Sequence, residues 1–168
     1  AYHTERVGEA AEHFLRALEL ADRFERADLR VLLARVAISR LDTADAAREI
    51  AAAFEDLSCA LPSATTPDPQ ALQAHLMERL QVDLAAASTA HTYASPDLRR
   101  VDQCLAGLCE VGFLIGYLRR DLMLAMQYGV LALAPACRLG AAREACGALA
   151  TFCLLMGLLG KAELVNRF

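Results

Sequence analysis

Apolar residues recur along the first third of the chain at the spacing of amphipathic helices, with charged residues on the opposite faces. In the first such segment Val7, Phe14 and Leu18 share one stripe, and Ile50 and Phe54 do so in the third. A period of three to four residues is typical of a helix with one buried face. The pattern therefore predicts three helices, over 4–24, 27–41 and 44–60, joined by short connections.

A proline-rich break, PSATTPDP at 62–69, follows the third predicted helix. Asp68 and Pro69 provide a cap and a first-turn proline for a fourth helix that extends to about residue 90. Pro96 repeats this arrangement at the start of a fifth. We interpret 62–69 as an elbow between helix hairpins of a single domain over 1–168, because either half alone would leave an apolar face uncovered.

The last part of the chain is the least polar, and its charges concentrate in the turns between the predicted helices. These helices cover 96–118, 121–138 and 141–159. Helices that are apolar all round must be covered on several sides. The least polar stretch is Asp121–Leu133, DLMLAMQYGVLAL, and we expect the other helices to pack around it.

Membrane insertion is the competing explanation for these apolar helices. Gly112 and Gly116, four residues apart, resemble the close-packing pairs of membrane helices. The apolar runs span about 15–17 residues, however, whereas a bilayer requires roughly 20. We therefore favour the buried centre of a helical superhelix.

Composition supports an all-α fold and narrows the choice of partners. Ala and Leu dominate a chain that is 56% apolar, and both residues favour helices. The net charge of −4 comes from interleaved acidic and basic residues, which argues against nucleic acid as a partner. The six cysteines form no C-x-x-C pair and have no histidine nearby. This predicts buried thiols, no metal site and a reducing, cytoplasmic setting.

No residue pattern indicates a catalytic, cofactor-binding or metal-binding site. The four histidines are scattered, the serines lack a nucleophile elbow, and the helical glycines lack the Lys-Ser/Thr that follows a phosphate-binding loop. We therefore predict no catalytic, cofactor or metal site in this segment and no enzymatic activity of its own. The pattern indicates no oligomeric state.

Three segments resemble the tetratricopeptide repeat, a pair of antiparallel helices with small residues at the helix contact. Val7–Leu18 is similar to its second helix, with Ala10 at the small position, Phe14 at the aromatic position and Ala17 in the closing Ala-Leu pair. Asp121–Leu133 is similar to the same helix, and 142–160 resembles a first helix. The small residues that we expect at helix contacts in these later segments are Gly112, Gly116, Ala125, Gly129, Ala132 and Gly160. The chain departs from the family in lacking its tryptophan, its proline position and its period of about 34 residues.

The resemblance implies antiparallel helix hairpins stacked as a right-handed superhelix of about seven to eight helices, as part of a longer array. Degenerate arrays of this kind occur in the C-terminal regions of large signalling ATPases, including MalT-like regulators, ATPase-core serine/threonine kinases and soluble adenylyl cyclases. The implied role is a non-catalytic module that binds a protein partner or neighbouring domains of the same chain. The alternative is a helical bundle that senses a small molecule in an apolar pocket within 96–160. Its polar anchors would be Tyr117, Gln127, Tyr128 and Thr151.

Overall fold

The computed structural model describes residues 2–62, 93–140 and 143–158, together with positions 74, 78 and 160. Regular structure in these residues is helical, and no strand occurs among them. The all-α prediction is therefore confirmed. Apart from the helical positions 74 and 78, the predicted fourth helix lies outside the described residues. So does the elbow beyond Pro62.

The chain divides into two compact units, Ala1–Leu61 and Pro62–Phe168, which are described in turn. The first unit contains α1 (Tyr2–Leu18), α2 (Arg23–Ser39) and α3 (Thr43–Asp56). The second contains α4 (Pro96–Leu118), α5 (Leu122–Leu131), α6 (Leu133–Leu139) and α7 (Arg143–Leu158).

In the first unit, α1 ends and α2 begins several residues earlier than predicted, because a capping box starts α2 at Asp22. The Asp22 Oδ1 atom accepts hydrogen bonds from the backbone N–H groups of Phe24 and Glu25, at 2.8 and 2.9 Å. In return, Glu25 Oε2 accepts one from the Asp22 N–H at 3.0 Å. This reciprocal pairing satisfies donors that a helix start leaves without partners.

Small residues bring α2 and α3 together. Ala27 and Ala34 on α2 are fully buried, as are Ala46 and Ala53 on α3. Leu32, also on α2, is 39% exposed. The buried face of α2 instead follows the alanines, which let the two backbones approach closely.

Ion pairs also tie α2 to α3. Arg30 donates to Asp56 at 2.8 Å and to Glu49 at 3.0 Å, while Arg26 donates to Asp56 at 3.0 Å. Burial lowers the pKa of Arg30, but hydrogen bonds and charge attraction to the two carboxylates together outweigh this and raise the pKa. Glu49 and Asp56 are both partly buried partners in this network.

In the second unit, α4 has its predicted bounds, and Ser95 caps it by accepting a hydrogen bond from the Leu98 N–H at 3.3 Å. The helix predicted over 121–138 is interrupted at Ala132 and continues as α6. The interruption follows from Pro135, whose ring nitrogen has no hydrogen to donate to the carbonyl oxygen one turn earlier.

The helices α5 and α6 form the centre of the second unit. All residues from Ala125 to Val130 are buried, as are those from Ala132 to Ala136, and these two helices contact both α4 and α7. The window Leu122–Leu139 and the helix Pro96–Leu118 are each long and apolar enough to span a membrane by length and composition. Of these windows, 67% and 56% respectively are buried inside the protein, as in the core helices of many globular domains.

The hairpins α2–α3 and α4–α5 share one turn geometry. The residue after each first helix's cap, Leu41 or Arg120, has a positive φ, of 61° and 57° respectively. The next residue is an aspartate, Asp42 or Asp121, whose backbone N–H donates to a carbonyl oxygen in the preceding helix at 2.9 Å. Each aspartate then caps the second helix by accepting a backbone N–H three residues later, again at 2.9 Å.

The correspondence continues into the second helix of each hairpin. Counted from the two aspartates, Ala46 aligns with Ala125 and Ala53 with Ala132, and all four side chains are buried. Each unit therefore contains one hairpin with the same turn and the same placement of small residues.

Candidate functional site

A cavity of about 460 Å³ lies where the carboxyl ends of α4 and α7 meet the start of α5. Its walls are apolar apart from one phenol and one guanidinium group. The residues that line it are Gly116, Tyr117, Leu118, Arg120, Leu122, Ala125 and Leu158. The volume falls in the range of about 300–1,000 Å³ that is typical of ligand pockets.

Two glycines hold α4 tightly against α5 beside this cavity. A Cβ atom at Gly116 would lie 2.6 Å from the backbone nitrogen of Ala125 and 2.9 Å from its Cα atom. One turn earlier, a Cβ atom at Gly112 would collide with the ring of Tyr128. Both positions therefore permit helix contacts that any larger residue would prevent.

The other residues selected by the repeat resemblance have varied environments. Ala132 is fully buried, and a Cβ atom at Gly129 would lie 2.6 Å from the Cδ2 atom of Leu155. Gly160 is exposed in a turn with a φ of +67°. In α1, Ala10 and Phe14 are half-buried and Ala17 is exposed at the edge of a second cavity, of about 440 Å³, between α1 and α2.

Exposed leucines extend the apolar surface beyond the cavity in the second unit. Leu114 lies one turn before Leu118 on α4, and Leu154 lies one turn before Leu158 on α7. The exposed fractions are 39%, 39%, 53% and 49% in that order, and Leu122 at the start of α5 is 51% exposed. We call these five residues the leucine groove. Exposed apolar residues clustered beside a cavity often mark a binding site.

The positive charge at the edge of the leucine groove comes from Arg120. This exposed residue occupies the α4–α5 turn, where its backbone N–H donates to the carbonyl oxygen of Tyr117 at 3.1 Å. Backbone hydrogen bonds on both sides fix this turn, and the Arg120 side chain lines the cavity.

Of the four polar residues expected in an apolar pocket, Tyr117 alone is among the cavity's lining residues, and it is 55% exposed. Gln127 and Tyr128 are buried in the central helix, and burial raises the pKa of the Tyr128 hydroxyl. Thr151 is also buried, and its hydroxyl donates to the carbonyl oxygen of Gly147 at 2.9 Å. Arg120, which sequence reasoning did not select, takes the polar position instead.

A second polar group, buried in the same unit, joins Asp102, Arg138 and Tyr93. The Arg138 Nε and Nη2 atoms donate to the two Asp102 oxygens at 2.7 and 2.6 Å. The Tyr93 hydroxyl donates to Asp102 Oδ2 at 2.9 Å. Asp102 is 4% exposed and Arg138 is only partly buried, and this bidentate pair ties α4 to α6. Asp102 is one of few charges in an apolar helix, and that isolation was the only signal of its role.

We predict that the Tyr93 hydroxyl loses its proton only at strongly alkaline pH. Burial and the hydrogen bond to Asp102 raise the pKa of Tyr93 to about 12. Because this lies above the value of about 10 for a free tyrosine, the resulting stabilisation is complete below pH 10 and is lost as the pH rises towards 12. The difference in phenolate absorbance between the natural protein and Tyr93→Phe should have its midpoint at about 12. A midpoint near 10 would contradict the hydrogen bond.

Side chains that could bind a metal ion or act as nucleophiles are few in the described part of the chain. Within it, no cluster of three or more His, Cys, Asp or Glu side chains could hold a metal ion. The six cysteines form no disulfide; Cys104 and Cys109 are buried in α4, and Cys146 is exposed on α7.

Comparison with known proteins provides no independent identification. No protein-family model, curated protein or solved structure matches this chain.

Proposed function

We propose that this chain is a non-catalytic helical-repeat module that binds a protein partner, or neighbouring domains of a longer chain, in a multidomain signalling protein of the ATPase, kinase or cyclase type. The observation that carries the proposal is the leucine groove. Three of its five exposed leucines line the cavity, and removing all five from water against a partner would lower the free energy of the complex.

The repeated hairpin supports the same proposal. The α2–α3 and α4–α5 hairpins share a turn and buried alanines, as expected for units of a tetratricopeptide-like array stacked as a right-handed superhelix. Such arrays bind partners on an extended concave surface. In this scheme α4 and α7 are first helices of their pairs, and both contribute to the leucine groove.

The proposal includes a cytoplasmic location. Cys104 and Cys109 are buried small apolar residues that form no disulfide, and thiols persist in reducing compartments.

A quantitative affinity capture tests the partner proposal. The bait is the full chain, and the natural sequence is compared with Leu118→Ser/Leu158→Ser, which makes two groove residues polar. The matched control is Leu15→Ser/Leu20→Ser, since these α1-side leucines are 52% and 91% exposed and belong to the other unit. We expect the groove variant to lose its partners by roughly tenfold and the control to retain them. Equal capture by all three baits, with unchanged circular dichroism, would reject the groove as the binding surface.

The cavity itself favours a second candidate function, the sensing of a small apolar molecule. Its volume suits one such ligand, and Tyr117 and Arg120 could bind a polar end. A sensor should show a concentration-dependent rise in melting temperature with an amphiphile such as decanoate, since a ligand that binds only the folded state stabilises it. An unchanged melting temperature across the series would eliminate this candidate.

A further inference from the structure

We propose that the leucine groove binds an amphipathic helix of a partner protein, and that this helix carries acidic residues along one edge of its apolar stripe. The inference rests on the proposed function and adds the chemistry of the partner. It combines the shape of the apolar surface with the charge at its rim.

The apolar surface is larger than the cavity, which favours a helix over a small ligand. Leu118 and Leu158 line the cavity, but Leu114 and Leu154 lie one turn further back and outside its lining. A molecule confined to the cavity would leave these outer leucines in water. A helix that places one bulky side chain in the cavity and others one and two turns away would cover all of them.

The arrangement of the two leucine pairs matches the pattern of a helical ligand. The helices α4 and α7 pack directly against each other, and their carboxyl ends meet at the cavity. Each pair is spaced by one helical turn, so the pairs form two ridges that begin at the cavity and follow their helices. Such a groove accepts apolar anchors at i, i+3 or i+4, and i+7.

The positive charge of Arg120 at the rim of the groove favours a partner helix with acidic residues along one edge. The exposed Arg120 extends from the turn beside the cavity, and a carboxylate can accept two hydrogen bonds from one guanidinium group. The neighbouring Asp121 uses an oxygen to cap α5, where it accepts the Leu124 N–H at 2.9 Å. A carboxylate on the incoming helix can pair with Arg120, whereas a basic edge would meet repulsion.

Fluorescence anisotropy with two labelled model helices tests the inference. Each peptide has about 16 residues, or roughly four turns, with leucines at the anchor spacing. One carries glutamates along the edge of the stripe and the other carries lysines there. We expect the acidic peptide to bind the full chain roughly tenfold more tightly at low salt, and Arg120→Glu to reverse this preference. Arg40→Glu makes the same charge change in the equivalent turn of the first unit and should leave the preference unchanged.

A second variant distinguishes the helix from other occupants. Leu154→Ser changes an exposed residue outside the cavity lining, so it should weaken peptide binding roughly tenfold while leaving any binding of decanoate unchanged. Peptide binding that is insensitive to both Leu154→Ser and Arg120→Glu would overturn the inference. So would a homodimer, seen by analytical ultracentrifugation, that Leu154→Ser dissociates, because the groove would then be occupied by a second copy.

The inference and the proposed function can fail separately. If the groove variant abolishes partner capture but neither peptide binds, the groove binds a partner of different chemistry and the acidic-helix inference is wrong. If the acidic peptide binds with the expected dependence on Arg120 while partner capture is unaffected by the groove variant, the groove recognises acidic helices but does not carry the proposed function.

Discussion

Asp102→Ala should destabilise the second unit by about 2–4 kcal/mol. The substitution leaves Arg138 and the Tyr93 hydroxyl without the carboxylate that pairs them, and breaking a buried ion pair from one side typically costs about 3–5 kcal/mol. We expect a somewhat smaller loss because the Arg138 side chain is 39% exposed and regains some hydration. The measurement is urea unfolding followed by tyrosine fluorescence, since the chain has no tryptophan.

Two companion variants isolate the cause of this loss. In Asp102→Leu/Arg138→Met both charges are replaced by apolar side chains, so most of the lost stability should return. Asp45→Ala is the matched control, because its ion pair with Arg48 is exposed on α3 and should contribute less than about 1 kcal/mol. A loss of the same size from Asp45→Ala and Asp102→Ala would show that burial of the pair is unimportant.

Gly116→Ala should destabilise the second unit by about 2 kcal/mol, although alanine is the better helix former. The added Cβ atom would lie 2.6 Å from the backbone nitrogen of Ala125, and only a shift of α4 or α5 could relieve that overlap. Overpacking of this kind typically costs about 1–3 kcal/mol. Unfolding in urea, measured as above, gives the change in free energy.

Gly157→Ala provides the control for helix propensity, since it makes the same substitution on α7. No described atom lies within 4 Å of the added Cβ atom, so this variant should gain about 0.5 kcal/mol. Opposite signs at the two positions would attribute the loss to the α4–α5 contact. Stabilisation by both variants would contradict the close approach of these helices.

The local signals along the sequence predicted much of the secondary structure. Ser95 and Pro96 set the start of α4 because a capping hydroxyl and a first-turn proline act within a few residues. The boundary between α1 and α2 was missed for an equally local reason. Apolar periodicity continues past Leu18, and the capping box at Asp22 was not recognised.

The binding surface was less predictable, because periodicity does not distinguish buried leucines from exposed ones in a helix that is apolar all round. Leu114 and Leu108 are both apolar residues of α4, yet Leu108 is fully buried and Leu114 is 39% exposed. The neighbours on α5 and α7 decide which of them meets water. The position of Arg120 was unpredictable for the same reason. The α4–α5 turn places it beside residues of α5 and α7 at the cavity, and this depends on how the helices pack.

The sequence by itself determined that this protein is α-helical, where several helices begin, and that its helices 96–160 are apolar on more than one side. These properties depend on capping, propensity and composition, which act over short separations in the chain. The tertiary structure decided which residues from different helices contact one another. Asp102 and Arg138 lie 36 residues apart, and Leu118 meets Leu158 at one cavity, because packing of α4 against α6 and α7 places them there. Such contacts depend on the combined fit of side chains from several helices, which no single segment specifies.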